Sequence, residues 1–230
     1  MLRYEIIENK TGMATEVAMP AALSEIPLGK FVKYMETVEL SKPDTMTTMQ
    51  SLKTDKEVQD YVSKLTQEDL LAWQQYRIKT VQYWTGISDQ MMAGMPVDDV
   101  ILMAKMFEVM ITDINVDAGA RSFKLNGEEY LYPPAMTNGY TDTKEYMRGS
   151  RVIDLIEALQ FDSYSEQLGK SKWPALLSII AILCKKKDED LPLDSAERSR
   201  WISQRAKIME DLPTSEALNV AFFLLRQKHI

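Results

Sequence analysis

The chain has 230 residues, of which 45% are hydrophobic, enough to bury a sizeable core as one compact unit or as two small domains. Its 27 Lys and Arg against 34 Asp and Glu give a net charge of −7, which argues against nucleic acid as a partner because phosphate binding needs a basic surface. One cysteine, no secretory signal and an apolar stretch about half as long as a bilayer span predict a soluble cytoplasmic protein without a membrane partner.

The first half opens with two short runs typical of strands, residues 2–7 and 15–19, and the turn between them contains Gly12. This pattern predicts a hairpin, which ends at Pro20 because proline cannot donate to a strand ladder. Pro27 then precedes a predicted helix over residues 28–38.

Residues 42–51 are rich in turn-forming and polar types, so they predict a loop. Thr54 with Glu57 forms a candidate capping box, and Thr66 is a second candidate N-cap. These residues predict helices over 55–65 and 67–85, the second of which ends at Gly86. A further helix begins at Pro96, a favoured first helical position, and ends near Ile111.

The second half begins with a second predicted hairpin, in which residues 122–125 and 129–132 flank Asn126 and Gly127. Both residues tolerate a positive φ, as a type I′ turn requires. Helical patterns then follow, with a charged and solvated connection at residues 185–191. The predicted helices cover residues 142–159, with Gly149 as a candidate break, and residues 173–184, 195–209 and 213–227.

The two halves match in residue type at their ends. Residues 16–24 match 129–137, and residues 92–104 match 209–221, each at an offset close to half the chain length. This self-similarity predicts a duplication, with repeat 1 at residues 1–115 and repeat 2 at residues 116–230. The expected fold class is α+β, mainly α-helical, with two similar units that each contain a β-hairpin followed by a small helical bundle.

The residue types that catalysis needs are sparse. His229 is the only histidine and lies beside the chain end, which argues against a catalytic triad or a histidine metal site. Cys184 fits a half-buried helix-end cysteine better than a reactive thiolate. The glycines form no phosphate-binding motif, and Asp98 and Asp99 fit the first turn of a helix. We therefore expect a protein that is not an enzyme, with no catalytic residue, cofactor or metal.

A basic run on one predicted helix could contact phosphates, but its acidic neighbours dilute the charge. A solvated helix face is the favoured interpretation. The run comprises Arg198, Arg200, Arg205 and Lys207.

Two helices are apolar around most of their circumference, at residues 97–111 and 217–225. Such helices must be covered on several sides, either by each other as the central helices of the fold or, on one flank, by another protein. Methionine suits a contact with varied apolar partners because its unbranched thioether adapts to their shape. The candidate partner-binding residues are Met103, Met106, Met110, Phe222 and Phe223.

The sequence YWTGIS at residues 83–88, with Pro96, Asp98 and an apolar helix after it, resembles a segment of the tail assembly chaperones of tailed bacteriophages. The hairpin that leads through Pro20 and Leu23 into an aromatic-bearing helix is also similar to their N-terminal region. The second half has similar sequence features at residues 123–136 and 212–225, but it lacks the Thr-Gly-Ile-Ser element.

The resemblance implies a non-catalytic bacteriophage morphogenesis protein that binds apolar surfaces of tail, tape-measure or connector subunits. Its location would be the cytoplasm of an infected bacterium or the virion, and a homo-oligomer is compatible with the sequence. The first alternative is a permanent structural component of the virion, such as a head-tail connector, ring or baseplate protein. The second alternative is a metal-dependent enzyme such as a nuclease.

Overall fold

The computed structural model describes residues 1–7, 14–112, 122–132, 154, 157–158, 173–187 and 189–226, without the side chains of 7, 112 and 221–226. The chain forms two compact units. Unit 1 consists of Met1–Ala22 and Tyr34–Asp113, and unit 2 consists of Leu23–Lys33 and Ile114–Ile230. Helices predominate, with small antiparallel hairpins, so the predicted α+β, mainly helical fold class is confirmed.

Unit 1 begins with the predicted hairpin. Strands β1 (Leu2–Ile7) and β2 (Ala14–Met19) are antiparallel, with Leu2 opposite Met19. Val17 and Met19 are buried while their neighbours in β2 are exposed, the period-2 alternation of a sheet with one covered face. The predicted turn at Gly12 lies outside the described residues.

The helices of unit 1 follow in close succession, and α1 begins in unit 2 and ends in unit 1. Short 3₁₀ turns at Leu23–Glu25 and Glu39–Ser41 flank α1. The helices are α1 (Leu28–Thr37), α2 (Asp44–Ser51), α3 (Asp55–Val62), α4 (Gln67–Thr85), α5 (Asp89–Gly94) and α6 (Val97–Thr112).

The predicted helix signals of unit 1 are confirmed at α3 and α4. Thr54 and Glu57 form a reciprocal capping box at α3, and Thr66 and Asp69 form another at α4. Each box satisfies backbone N–H groups that lack a partner in the first turn of a helix. Gly86 ends α4 in the left-handed conformation, with φ of 72°.

The predicted loop at residues 42–51 is wrong, because most of it forms α2. Its polar threonines have low intrinsic helix propensity, but Met46 is buried and Thr45 accepts a hydrogen bond of 2.9 Å from the Trp73 indole. Tertiary contacts therefore override the local composition. Helix α5 was also not predicted; the Ser88 side chain caps it by accepting a hydrogen bond from the Met91 N–H.

Unit 2 contains the second predicted hairpin, formed by β3 (Ser122–Leu125) and β4 (Glu128–Leu131). Asn126 and Gly127 have φ of 51° and 80°, as a type I′ turn requires. Phe123 and Tyr130 lie opposite each other and stack with their ring centroids 5.4 Å apart. The hairpin thus presents an apolar face to the helices of unit 2.

The helices of unit 2 have nearly the predicted bounds. They are α7 (Trp173–Leu183), α8 (Ser195–Met209) and α9 (Thr214–Arg226). The connection between α7 and α8 is less solvated than predicted, because Leu191 is buried and Lys185 is paired with Asp154. The predicted helix at residues 142–159 lies mostly outside the described residues; Asp154, Glu157 and Ala158 are helical.

The segment Leu23–Lys33 is bound to the turn between α8 and α9. The Leu28 N–H donates to the Leu212 carbonyl at 2.7 Å, and the N–H and hydroxyl of Thr214 both donate to the Ile26 carbonyl at 2.8 Å. At Gly29 the two backbones approach so closely that a Cβ would lie 2.8 Å from the Glu210 Cβ. A glycine is therefore required at this position.

The predicted duplication is not confirmed. Unit 2 incorporates Leu23–Lys33 from the first half of the chain, so the two units do not coincide with the two halves of the sequence. The hairpins of the two halves are alike, but the helices that the structure describes in unit 1 differ in length from those that it describes in unit 2. The duplication, with its boundary at residue 115, therefore remains a prediction.

Candidate functional site: the exposed face of helix α6

Helix α6 carries most of the residues that the sequence singled out for partner binding. Pro96 precedes it, and Asp98 and Asp99 lie in its first turn, where negative charge opposes the helix dipole. One face is buried in unit 1 and comprises Val100, Met103, Ala104 and Phe107. This spacing is that of a single helical stripe.

The opposite face of α6 is apolar but exposed to solvent. The side chains of Leu102 and Val109 are 55% and 63% exposed, and their separation of seven residues places them on one stripe. Burial of apolar side chains of this size lowers the free energy, so a partner that covered this stripe would be bound favourably. We refer to Leu102 and Val109, with the neighbouring Met106 and Met110, as the α6 face.

The predicted partner-binding residues lie at different depths. Met103 is only 3% exposed and belongs to the core, whereas Met106 and Met110 are half-buried at the edge of the exposed stripe. Phe222 and Phe223 lie in α9, and their side chains are outside the described part of the chain. Leu102 and Val109, exposed apolar residues of α6, were not singled out for partner binding, because composition alone does not show which flank is covered.

The side of α6 next to Met106 is bordered by the first hairpin. The Tyr4 hydroxyl donates a hydrogen bond of 2.7 Å to the Met106 sulfur. Burial raises the pKa of Tyr4, so the phenol stays protonated and keeps its donor at neutral pH. Met106 is therefore fixed on one side while the exposed stripe remains accessible on the other.

An aromatic cluster holds the buried face of α6 in place. Phe107 stacks on Trp84 with the ring centroids 4.4 Å apart, and it makes an edge contact with Tyr34 at 4.8 Å. Tyr83 contacts both Tyr34 and Trp84. Such pairs add specific geometry to apolar burial, so the exposed stripe is displayed on a rigid support.

A polar network adjoins this cluster. The Tyr34 hydroxyl lies 3.2 Å from the Tyr76 hydroxyl and 3.3 Å from the Thr80 hydroxyl, and Tyr76 donates to the Glu39 carboxylate. Lys42 pairs with the same carboxylate at 3.2 Å. Burial raises the pKa of both Tyr34 and Tyr76, so neither phenol ionises near neutral pH. The network therefore fixes the turn after α1 against α4.

Glu108 lies on the flank of α6 that faces away from Met106. Burial raises the pKa of Glu108, while the neighbouring Lys42 and Arg77 oppose this rise. Gln50 of α2 donates to the Glu108 carboxylate at 3.2 Å. The two flanks of the helix thus differ, since one carries the carboxylate of Glu108 and the other carries the thioether of Met106.

Two candidate residues of unit 2, Cys184 and Arg205, are buried in its interior. Cys184 is fully buried rather than half-buried, and burial raises the pKa of its thiol, so it is not poised as a nucleophile. Arg205 makes a two-pronged ion pair with Glu189 at 2.7 and 2.9 Å. Its guanidinium lies 4.4 Å from the centre of the Tyr130 ring and 5.2 Å from that of Trp201.

The basic run on α8 is therefore divided rather than presented as one patch. Arg205 is buried, and Arg198 pairs with Glu157 at 2.6 Å, whereas Arg200 and Lys207 are exposed. Within the described residues, no three His, Cys, Asp or Glu side chains are grouped so that they could hold a metal ion. Nor does any helix in that part of the chain combine the length and apolar character needed to cross a membrane.

Comparison with known proteins returns no match. Neither a family model, nor a curated protein, nor a solved structure is similar to this chain at a significant level.

Proposed function

We propose that this protein is a non-catalytic binding protein that covers an apolar surface of another protein with its α6 face. The observation that carries the proposal is the exposure of Leu102 and Val109 on one stripe of a helix whose opposite side is locked into an aromatic core. A rigid helix with an uncovered apolar stripe is a common element of helix-in-groove recognition.

The energetics favour binding over simple exposure. Fully burying a leucine or valine side chain stabilises by about 1.5–3 kcal/mol, so two half-exposed residues offer a few kcal/mol at most. Met106 and Met110 widen the stripe, and their flexible thioethers adapt to partners of different shape. This combination supports a reversible contact rather than a permanent one.

The more specific version of the proposal is a bacteriophage morphogenesis protein of the tail assembly chaperone type. Its support is the sequence resemblance: the matching segment at residues 83–88 forms the end of α4 and the turn into α5, and α6 follows directly. The partners would be tail, tape-measure or connector subunits, whose apolar or unpaired-strand surfaces aggregate before assembly. The protein would act in the cytoplasm of an infected bacterium or in the virion.

The test is co-expression with proteins encoded by neighbouring reading frames, which would be a tape-measure, tail or portal protein in a phage genome. We expect the wild type to keep one of them soluble and to co-purify with it. The double variant Leu102→Asp, Val109→Asp should lose this interaction, because two buried carboxylates would lack partners. The matched control is Leu193→Asp, which changes an exposed leucine of unit 2.

Two results would contradict the proposal. Failure of the wild type to bind or solubilise any neighbouring protein would remove the chaperone function. Equal binding by the double variant and the Leu193→Asp control would show that the α6 face is not the contact surface.

A further inference from the structure

The turn of the second hairpin consists of an asparagine followed by a glycine. Asn126 and Gly127 are both exposed to solvent, and they lie between Leu125 and Glu128, the pair of residues that closes the hairpin. A Cβ added at Gly127 would meet nothing within 4 Å in the described part of the chain beyond its neighbours in sequence. The backbone nitrogen of Gly127 is therefore not shielded by a side chain of its own, and it directly follows a side-chain amide.

We propose that Asn126 is a site of spontaneous deamidation. The Gly127 nitrogen attacks the Asn126 Cγ atom and forms the new C–N bond of a five-membered succinimide ring. The bond from Cγ to Nδ2 breaks, and Nδ2 leaves as ammonia with the proton that the Gly127 nitrogen gives up. Water then adds to one of the two ring carbonyl carbons and opens the ring to aspartate or to isoaspartate. The only co-reactant is water.

The conformation of the turn controls the rate of this reaction. A type I′ turn holds the ψ angle of its first central residue near about 30°. At this angle the Gly127 nitrogen lies nearly opposite the Asn126 Cβ about the Cα–C bond, so the ring closes only after the backbone has rotated. Local openings of a hairpin turn need less free energy than unfolding of a core. Deamidation therefore proceeds in the folded protein, but more slowly than in the unfolded chain.

The product changes a contact within unit 2. The Asn126 Nδ2 atom lies 3.5 Å from the Asp211 Oδ2 atom, in the turn between α8 and α9. In aspartate a carboxylate oxygen replaces Nδ2, so two negative charges repel each other where a donor faced an acceptor. Isoaspartate adds a methylene group to the backbone, which does not fit a two-residue turn. Either product weakens the contact between the two turns.

This contact adjoins the hydrogen bonds that hold the segment Leu23–Lys33 in unit 2. The carbonyl groups on either side of Asp211 are the acceptors: Glu210 accepts from the Gly29 N–H at 2.8 Å, and Leu212 accepts from the Leu28 N–H at 2.7 Å. A displaced α8–α9 turn therefore weakens the attachment of this segment. Deamidation would loosen unit 2 irreversibly as the protein ages.

The first experiment measures the reaction by mass spectrometry. The full chain is incubated at mildly alkaline pH, with and without enough urea to unfold it, and then digested with a protease that cleaves after glutamate. Cleavage at Glu128 and Glu129 separates Asn126 from the second asparagine-glycine pair of the sequence, which begins at Asn138. We expect product at Asn126 in both samples, with slower formation in the folded chain. In urea Asn138 serves as the internal control and should react at nearly the same rate.

The second experiment measures the consequence by hydrogen exchange at low ionic strength. Asn126→Asp reproduces one product, and it should speed exchange of the Leu28 and Gly29 amides by up to about fivefold. The increase should shrink at high salt, which screens exposed charges. Adding Asp211→Asn restores an amide opposite a carboxylate and should return exchange to the wild-type rate. The matched control is Gln204→Glu, the same type of change at an exposed position of α8, and it should leave exchange unchanged.

Three results would overturn the inference. A folded chain without product at Asn126, over the time in which the chain in urea reacts completely, would show that the site is not modified. Equal rates in the two samples would show that the turn does not control the reaction. Exchange in Asn126→Asp equal to that of the control would remove the effect on unit 2. None of these outcomes depends on Leu102 or Val109, so they are independent of the proposed binding function.

Discussion

Helices α6 of unit 1 and α7 of unit 2 are both strongly apolar, yet their surroundings differ. Nearly the whole circumference of α7 is buried within its own unit. Its buried residues are Ala175, Leu176, Ile179, Ile180, Ala181, Ile182 and Leu183. Helix α6 is buried on one side and leaves Leu102 and Val109 exposed.

The difference in exposure depends on which elements of each unit pack around the helix. Around α7, unit 2 provides the β3–β4 hairpin, α8, α9 and the segment containing Leu28 and Val32. Around α6, unit 1 provides α4, the first hairpin and the end of α2, and these cover the core side and the flanks. Equal hydrophobicity therefore leads to a core helix in one unit and a candidate binding helix in the other.

The largest expected effect tests the cover of α7. Ile180 is fully buried, so Ile180→Ala should lower the free energy of unfolding of unit 2 by about 2–5 kcal/mol, because it removes apolar contacts and leaves a cavity. Urea denaturation followed by circular dichroism measures the loss, and hydrogen exchange assigns it to unit 2. A loss below about 1 kcal/mol would mean that α7 is less tightly covered than the structure shows.

A smaller change in the free energy of unfolding is expected where the segment Leu23–Lys33 packs against the α8–α9 turn within unit 2. Gly29→Ala places a Cβ 2.8 Å from the Glu210 Cβ, so we expect it to destabilise by about 1–3 kcal/mol through overpacking. In an unobstructed helix the same change would stabilise, since alanine is the better helix former. A decrease in the free energy of unfolding would therefore indicate that position 29 packs closely against Glu210, and an increase would indicate that it does not.

Two further variants support that measurement. Glu36→Ala alters an exposed residue of the same helix and should change stability little. Combining Gly29→Ala with Glu210→Gly removes the clashing atom and should recover part of the lost stability. If Gly29→Ala alone stabilised the protein, the segment would not pack against the α8–α9 turn as described.

Local signals in the sequence were sufficient for much of the fold. The Thr54–Glu57 capping box, the Gly86 stop and the Asn126–Gly127 turn each depend on residues near one another in the chain, and the structure contains all three. Helix α2 does not follow from local sequence, because it is stabilised by the burial of Met46 and by the hydrogen bond from Trp73, 28 residues further along the chain, to Thr45. The assignment of Leu23–Lys33 to unit 2 depends likewise on long-range hydrogen bonds.

The candidate site was predictable only in part. The sequence indicated that α6 has more apolar surface than one contact needs, and it named Met106 and Met110 at the edge of the exposed stripe. It also named Met103, which lies in the core, and it passed over Leu102 and Val109. Periodicity identifies the stripes of a helix, but which stripe remains uncovered depends on how α4 and the first hairpin pack against it.

The smallest expected effect on stability completes the comparison between the two helices. Leu102→Ala removes a side chain of nearly the same size as that of Ile180, but from an exposed position on α6. Because few contacts are lost and alanine favours the helix, we expect the free energy of unfolding to change by less than about 0.5 kcal/mol. The same variant should weaken partner capture, since Leu102 lies on the proposed contact surface. A destabilisation comparable to that of Ile180→Ala would show instead that Leu102 belongs to the core of unit 1, and the α6 face would then have no free surface with which to bind.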